Sequence, residues 1–221
     1  MPSQFSSDLV VLAADKDIEF AMRGVLARPE ALGIRTVTRT IYVHPDRDPG
    51  CLRRSHDFLR SFSNTFRHAI VVFDREGSGR DDASRTELKA DVEDALRKNG
   101  WSERAVAIVV DPELEIWVWS ESPEVDRVLG WAHRTPDLRT WLSESGYASS
   151  GSCKPDRPKE VFNEALRLAR KQRSSSLFQQ LADSVSLTRC QDTAFTKFRN
   201  TLRAWFPSQL DSESWAAEQR P

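Results

Sequence analysis

Four times in its first 120 residues the chain runs through a short apolar stretch and stops on carboxylates. DLVVLAA leads to Asp15 and Asp17, and RTVTRTIYV to His44, Asp46 and Asp48. HAIVVF leads to Asp74 and Glu76, and AVAIVV to Asp111, Glu113 and Glu115. The runs are rich in Val and Ile and are separated by segments with helical spacing. That alternation predicts a parallel sheet with crossover helices. In such a sheet all strands end on one edge, where open α/β folds bind their ligands. The acids are therefore expected to converge, and converged carboxylate oxygens suit Mg²⁺ or Mn²⁺.

The strands are expected at about 8–14, 35–43, 69–73 and 105–110. Mixed polarity in the second suggests a sheet edge. Helices are expected at about 17–28, 50–62 and 85–98. Ser84 and Glu87 have capping-box spacing at the start of the third, and HPDRDPG reads as a turn. After Glu115 come short helices broken by prolines, a polar linker at 148–159, and helical stretches near 158–171, 174–184 and 191–205. The fold class is thus α/β, a mainly parallel Rossmann-like sheet flanked by helices, with a helical C-terminal extension. The expected organisation is an α/β domain over 1–120, the extension over 121–206 and a frayed tail over 207–221, which includes Trp215.

Net charge is −1, so bulk charge does not mark a polyanion binder. Its distribution is uneven. Residues 151–206 hold eleven Lys and Arg against five Asp and Glu, leaving the acidic excess in the first 150 residues. An acidic site beside a basic extension suits a metal-dependent reaction on a phosphate-bearing substrate; solvated basic helices are the plainer explanation. Cys51, Cys153 and Cys190 are sparse and lack metal-ligand spacing, as expected for reduced thiols in the cytoplasm. No apolar run is long enough to span a membrane, and the first residues lack a signal-peptide pattern.

Asp74-Arg75-Glu76-Gly77 is the sharpest local signal. Asp-x-Glu on an extended chain puts two carboxylates on one side, and glycine lets a phosphate approach. A solvated turn would use the same residues. In PELEIWVWS, a helix starting at Pro112 would point Glu113 and Glu115 in different directions, with Trp117 in the core. Asp15 or Asp17 could act as general base or metal ligand, or Asp17 could simply cap a helix. Lys154, Lys159, Lys171 and Arg173 lie near Ser174, Ser175 and Ser176 at a helix start, a pattern that can hold phosphate. No Walker loop, GxGxxG, GxSxG or zinc spacing occurs.

Across about residues 7–120 these motifs resemble the Toprim-like proteins, which share the topoisomerase–primase fold. Asp74-Arg75-Glu76 resembles the Asp-x-Asp pair of that family. Pro112-Glu113-Leu114-Glu115-Ile116-Trp117 resembles the Pro-x-x-Glu-x-Trp motif of its defence-associated members. The family's first motif is Glu-Gly; here Ala14-Asp15 stands in its place, so the base is missing or replaced by Asp15 or Asp17. The chain as a whole resembles a small component of the methylation-associated defence system found in bacterial anti-phage islands. The resemblance implies a Mg²⁺- or Mn²⁺-dependent nuclease or phosphoryl-transfer protein. Asp74, Glu76 and Glu115 would then bind metal, and Asp15, Asp17 and Glu113 would complete the acidic site. Lys154, Lys159 and Arg173 would contact the phosphates of DNA or RNA. The alternative is a non-catalytic subunit that binds other defence proteins.

Overall fold

The computed structural model describes residues 5–148 and 154–208. Its centre is a four-stranded, wholly parallel sheet in the order β2-β1-β3-β4. The strands are β1 (Ser7–Ala13), β2 (Arg39–Val43), β3 (Phe66–Asp74) and β4 (Ala105–Val110). Leu9 pairs with Arg39 on one side and His68 on the other, and Asp74 pairs with Val110. β2 is the half-exposed edge strand that its mixed polarity predicts.

β2 is shorter than expected because side chains take over its first backbone groups. The Asp8 carboxylate accepts the Thr38 N–H at 2.9 Å and both Arg35 amino groups. The Arg35 hydrogen bond lowers the Asp8 pKa to about 2. Ile34 instead forms an isolated antiparallel bridge with Pro207.

The chain steps from β1 outward to β2, then crosses back over β1 to reach β3. Strand order therefore reverses between β1 and β3, which creates a crevice at their carboxyl ends. Helix α1 (Lys16–Leu26), followed by the single-turn α2 (Pro29–Leu32), makes the first crossover. Helices α3 (Arg47–Leu59) and α4 (Arg85–Leu96) make the next two and pack against each other. Right-handed crossovers running in opposite directions put α1 and the α3–α4 pair on opposite faces. The Ser84–Glu87 capping box forms as predicted. HPDRDPG is less of a turn than expected. α3 already begins at Arg47, since Pro49 falls in the first turn, where its missing N–H costs nothing.

After β4 come a 3-10 turn (Leu114–Trp117), α5 (Pro123–Leu129), α6 (Leu138–Glu144), α7 (Pro158–Leu168), α8 (Ser175–Ser184) and α9 (Thr193–Trp205). These helices share one core with the sheet: Phe162, Phe178, Phe198 and Phe206 are buried in the same cluster as β1 and β3. α9 packs on β4, and the Trp205 ring stacks on His68 with centroids 4.1 Å apart. Cys153 and Trp215 lie outside the described residues.

α8 docks along α1. At their starts, the Ser175 hydroxyl donates to Asp17 at 2.6 Å. At their ends, Arg28 donates to the Ala182 and Val185 carbonyls at 2.7 and 2.8 Å. Between them Gly24 permits a close approach, because a Cβ there would lie 2.7 Å from Ala182 Cβ and 2.9 Å from the Gln179 carbonyl oxygen. Gly24→Ala improves helix propensity by about 1 kcal/mol, but the helices must then separate. The expected net loss is about 1–2 kcal/mol, read as a lower urea midpoint; an unchanged or higher midpoint would refute this packing.

Candidate functional site

Each strand delivers acids to the carboxyl edge. β1 ends before Asp15, which caps α1 by accepting the Ile18 N–H at 2.9 Å. The cap is therefore Asp15, and Asp17, the residue first read as a cap, stands in the first turn, free to face α8. β2 ends before His44, and Asp48 follows in the first turn of α3. Asp74 is the last residue of β3. After β4, Glu113 is extended, and Glu115 lies in the 3-10 turn.

Asp74 is the centre. It is only 8% exposed, and its Oδ1 has no hydrogen-bond partner. Its backbone N–H donates to Asp48 Oδ1 at 2.8 Å, and the Leu114 backbone donates to its carboxylate. Burial raises its pKa well above the usual range, and the charges of Asp48, Glu115 and Asp15 add to the effect. Asp48 is also raised, by burial first and with Asp15 contributing. Asp48 is one of the acids expected to converge, though the motif reading assigned it no ligand role. The signal available was its place among the acids after β2, obscured because that segment read as a turn.

No helix starts at Pro112: Glu113 is extended and a 3-10 turn follows from Leu114, and both Glu113 and Glu115 are buried and reach cations. Glu113 accepts Lys159 Nζ at 2.9 Å and the Lys159 backbone N–H at 3.2 Å. Burial disfavours the Lys159 charge, but Glu113 more than compensates and raises its pKa. Glu115 accepts Arg173 Nη2 at 2.7 Å, and the same nitrogen donates to Asp17 at 2.7 Å. The Arg173 guanidinium is held over the rings of Phe162 and Phe178, 5.2 and 5.5 Å from their centroids. Burial raises the Glu115 pKa, with Arg173 opposing it.

The cations expected on phosphates thus all face carboxylates. Lys159 and Arg173 take the partners just given, and Lys154 lies 3.7 Å from Asp192. The anion at the start of α8 is Asp17 itself. Glu76 is not brought to Asp74, because β3 ends at Asp74 and the strand alternation ends with it. Glu76 is exposed, and its charge acts on Arg75, which is paired with Asp111 at 2.7 Å. Trp117 is half-buried against the core and donates to Asp192 at 2.9 Å.

A polar cavity of about 410 Å³ opens beside Asp15, lined also by Lys16, Asp17, His44 and Arg47. The His44 ring is buried and its Nδ1 accepts the Asp46 N–H at 3.1 Å. Gly50 makes room for that ring, since a Cβ there would lie 2.1 Å from Nδ1.

As the side chains stand, no three His, Cys, Asp or Glu groups among the described residues form a metal-holding set. The donor chemistry still fits a hard cation. Asp74 presents an unpartnered buried oxygen, and Asp48, Asp15 and Glu115 are close enough to act on its charge. No family model, curated protein or solved structure matches the chain.

Two outcomes follow from this electrostatics. A carboxyl whose pKa is raised by folding binds its proton more tightly in the fold. It therefore supports the fold most at low pH, and that support is lost as pH rises from the ordinary value of 3.8 through the folded pKa. Asp74→Asn removes the penalty. The variant should melt at least about 2 °C above wild type at neutral pH, with the gain shrinking as pH falls towards about 4. Parallel melting profiles across that range would contradict it. Arg173→Met should do the reverse and destabilise by about 2–3 kcal/mol. That is less than for a fully buried pair, because the guanidinium is 32% exposed. Adding Glu115→Gln should recover part of the loss in a double-mutant cycle; strict additivity would show that the pair does not act as a unit.

Proposed function

We propose that the crevice between β1 and β3 is a divalent-cation site serving phosphodiester chemistry. The reading is a Toprim-like nuclease or phosphoryl-transfer protein of bacterial anti-phage defence. The observation that carries it is Asp74: a buried carboxylate with one oxygen unpartnered, beside Asp48, Asp15 and Glu115 at the reversal of strand order. Buried polar atoms are nearly always satisfied, and an unsatisfied carboxylate oxygen among other acids suits a hard cation.

In this reading Asp74 is the principal ligand, with Asp48 and Asp15 beside it. A bound Mg²⁺ or Mn²⁺ would polarise a phosphoryl oxygen. Glu113 and Asp17 would hold protons or water at the edge of the site. Lys159 and Arg173 already stand at Glu113 and Glu115. A cation drawing on these carboxylates would release the two side chains towards the phosphates of DNA or RNA. Asp48 replaces Glu76 in the ligand set, because Glu76 is exposed on the Arg75 side.

The second reading is a non-catalytic subunit that binds other defence proteins. What favours it is that Glu113 is already neutralised by Lys159, and Asp17 and Glu115 by Arg173, with the Ser175 hydroxyl also donating to Asp17. The acidic edge would then serve to fasten the extension to the sheet.

Mn²⁺ separates the two. Under the first reading, Mn²⁺ stabilises the fold by mass action, by about 2.7 kcal/mol at a hundredfold excess over Kd, read as a higher melting temperature. Asp74→Asn removes that shift and Glu76→Gln leaves it in place. An equal response of wild type and Asp74→Asn would rule the cation site out.

A further inference from the structure

A second cavity, of about 500 Å³, lies where α1, the Leu114–Trp117 turn and the α8–α9 region meet. Val25, Leu114, Trp117, Phe178, Leu181 and Phe195 supply its apolar wall. Its polar lining comprises Ser120, Glu121, Ser122, Lys154, Ser186, Arg189 and Gln191. We propose that this cavity binds a small amphipathic organic anion, an apolar ring system carrying one acidic group.

Volume and wall chemistry are those of a small-molecule site, with mostly apolar and aromatic side chains and a few polar groups to fix orientation. The Trp117 indole N–H is already used by Asp192, and its ring meets Phe195 edge-on at 5.4 Å. What the tryptophan offers a ligand is therefore ring surface. Ser120 lines the cavity, and its hydroxyl oxygen is buried without a hydrogen-bond partner. Arg189 is exposed and makes no ion pair among the described residues, whereas Lys154 is partly compensated by Asp192 at 3.7 Å. Arg189 therefore supplies the positive end for a single negative charge, with Glu121 the one carboxylate of the lining. A peptide helix is the poorer occupant. Tyr147 is the exposed large hydrophobic residue among those described, and it does not line the cavity, so no apolar strip continues outward for a helix to lie on.

The proposal is independent of the cation site. The test titrates the full chain with 1-anilinonaphthalene-8-sulfonate, which has the stated chemistry, and with N-phenyl-1-naphthylamine, which lacks the acid. Near-ultraviolet circular dichroism checks that each variant is folded. The sulfonate should bind saturably, one per chain. Arg189→Glu should weaken it about tenfold or more and leave the neutral probe within about twofold. Val185→Trp, which fills the cavity from α8, should abolish binding of both probes. If that variant does not fold, Ser186→Trp on the adjoining loop fills the same space. Three outcomes would overturn the proposal: no saturation by the sulfonate, wild-type binding in a folded filled variant, or equal loss of both probes in Arg189→Glu. Binding that disappears as the chain self-associates would assign the surface to a second copy instead, which also overturns it.

Discussion

Arg173 stands between Asp17 and Glu115, and the arrangement of the whole carboxyl edge depends on that bridge. A parallel sheet cannot avoid gathering its strand ends, and in this chain each end carries acids. At 4 Å and an effective dielectric near 20, two like charges repel by about 4 kcal/mol, so several uncompensated carboxylates would be untenable. The extension supplies the compensation. Arg173, at the entry to α8, joins the start of α1 to the turn after β4, and Lys159, at the start of α7, engages Glu113. Attraction to the acidic edge and burial of Phe162 and Phe178 pull in the same direction. The helices after Glu115 therefore complete the sheet's own core.

The sheet was legible because parallel strands buried on both faces read as nearly continuous Val and Ile runs, and β1, β3 and β4 do. β2 was legible as an edge from its polarity, but its start was not. Asp8 and Arg35 capture the backbone of the preceding residues, and nothing local announces a contact across 30 positions. The same distinction runs through the candidate site. Acids directly after strands were found. Glu76 was included by assuming that the strand alternation continued past Asp74, where the chain turns. Asp48 was counted among the converging acids but given no ligand role, because HPDRDPG carries turn residues, although they fit equally the first turn of a helix. The partners of Lys159 and Arg173 lie 46 and 58 or more positions away, so a charge count showed the basic extension without showing what it faces.

Three agents can neutralise a buried Asp74: a proton, a cation, or neighbours that withdraw their own charge. The third is in place for Glu115 and Asp17 through Arg173. Asp74 itself has backbone donors and an unpartnered oxygen, but no side-chain cation. That inequality within one cluster is what the proposed cation site rests on. Glu115, less exposed still at 2% against 8%, holds Arg173, while Asp74 is left to a proton or an ion from solution.

The extension and the acidic edge also share a wall with the apolar cavity. Phe178 lies under the Arg173 guanidinium and lines the cavity. Leu114 lines it too, while its backbone N–H serves Asp74 and its neighbour Glu115 takes Arg173. Close-packed interiors transmit displacement because they have little free volume to absorb it. A change in the packing of Phe178 therefore bears directly on where the guanidinium sits. The position of Arg173 in turn sets how much negative charge Glu115 and Asp17 present to the crevice. The two cavities are chemically opposite, one polar and one apolar, yet Phe178 lines the apolar one and carries the cation that pairs with Asp17, which lines the polar one.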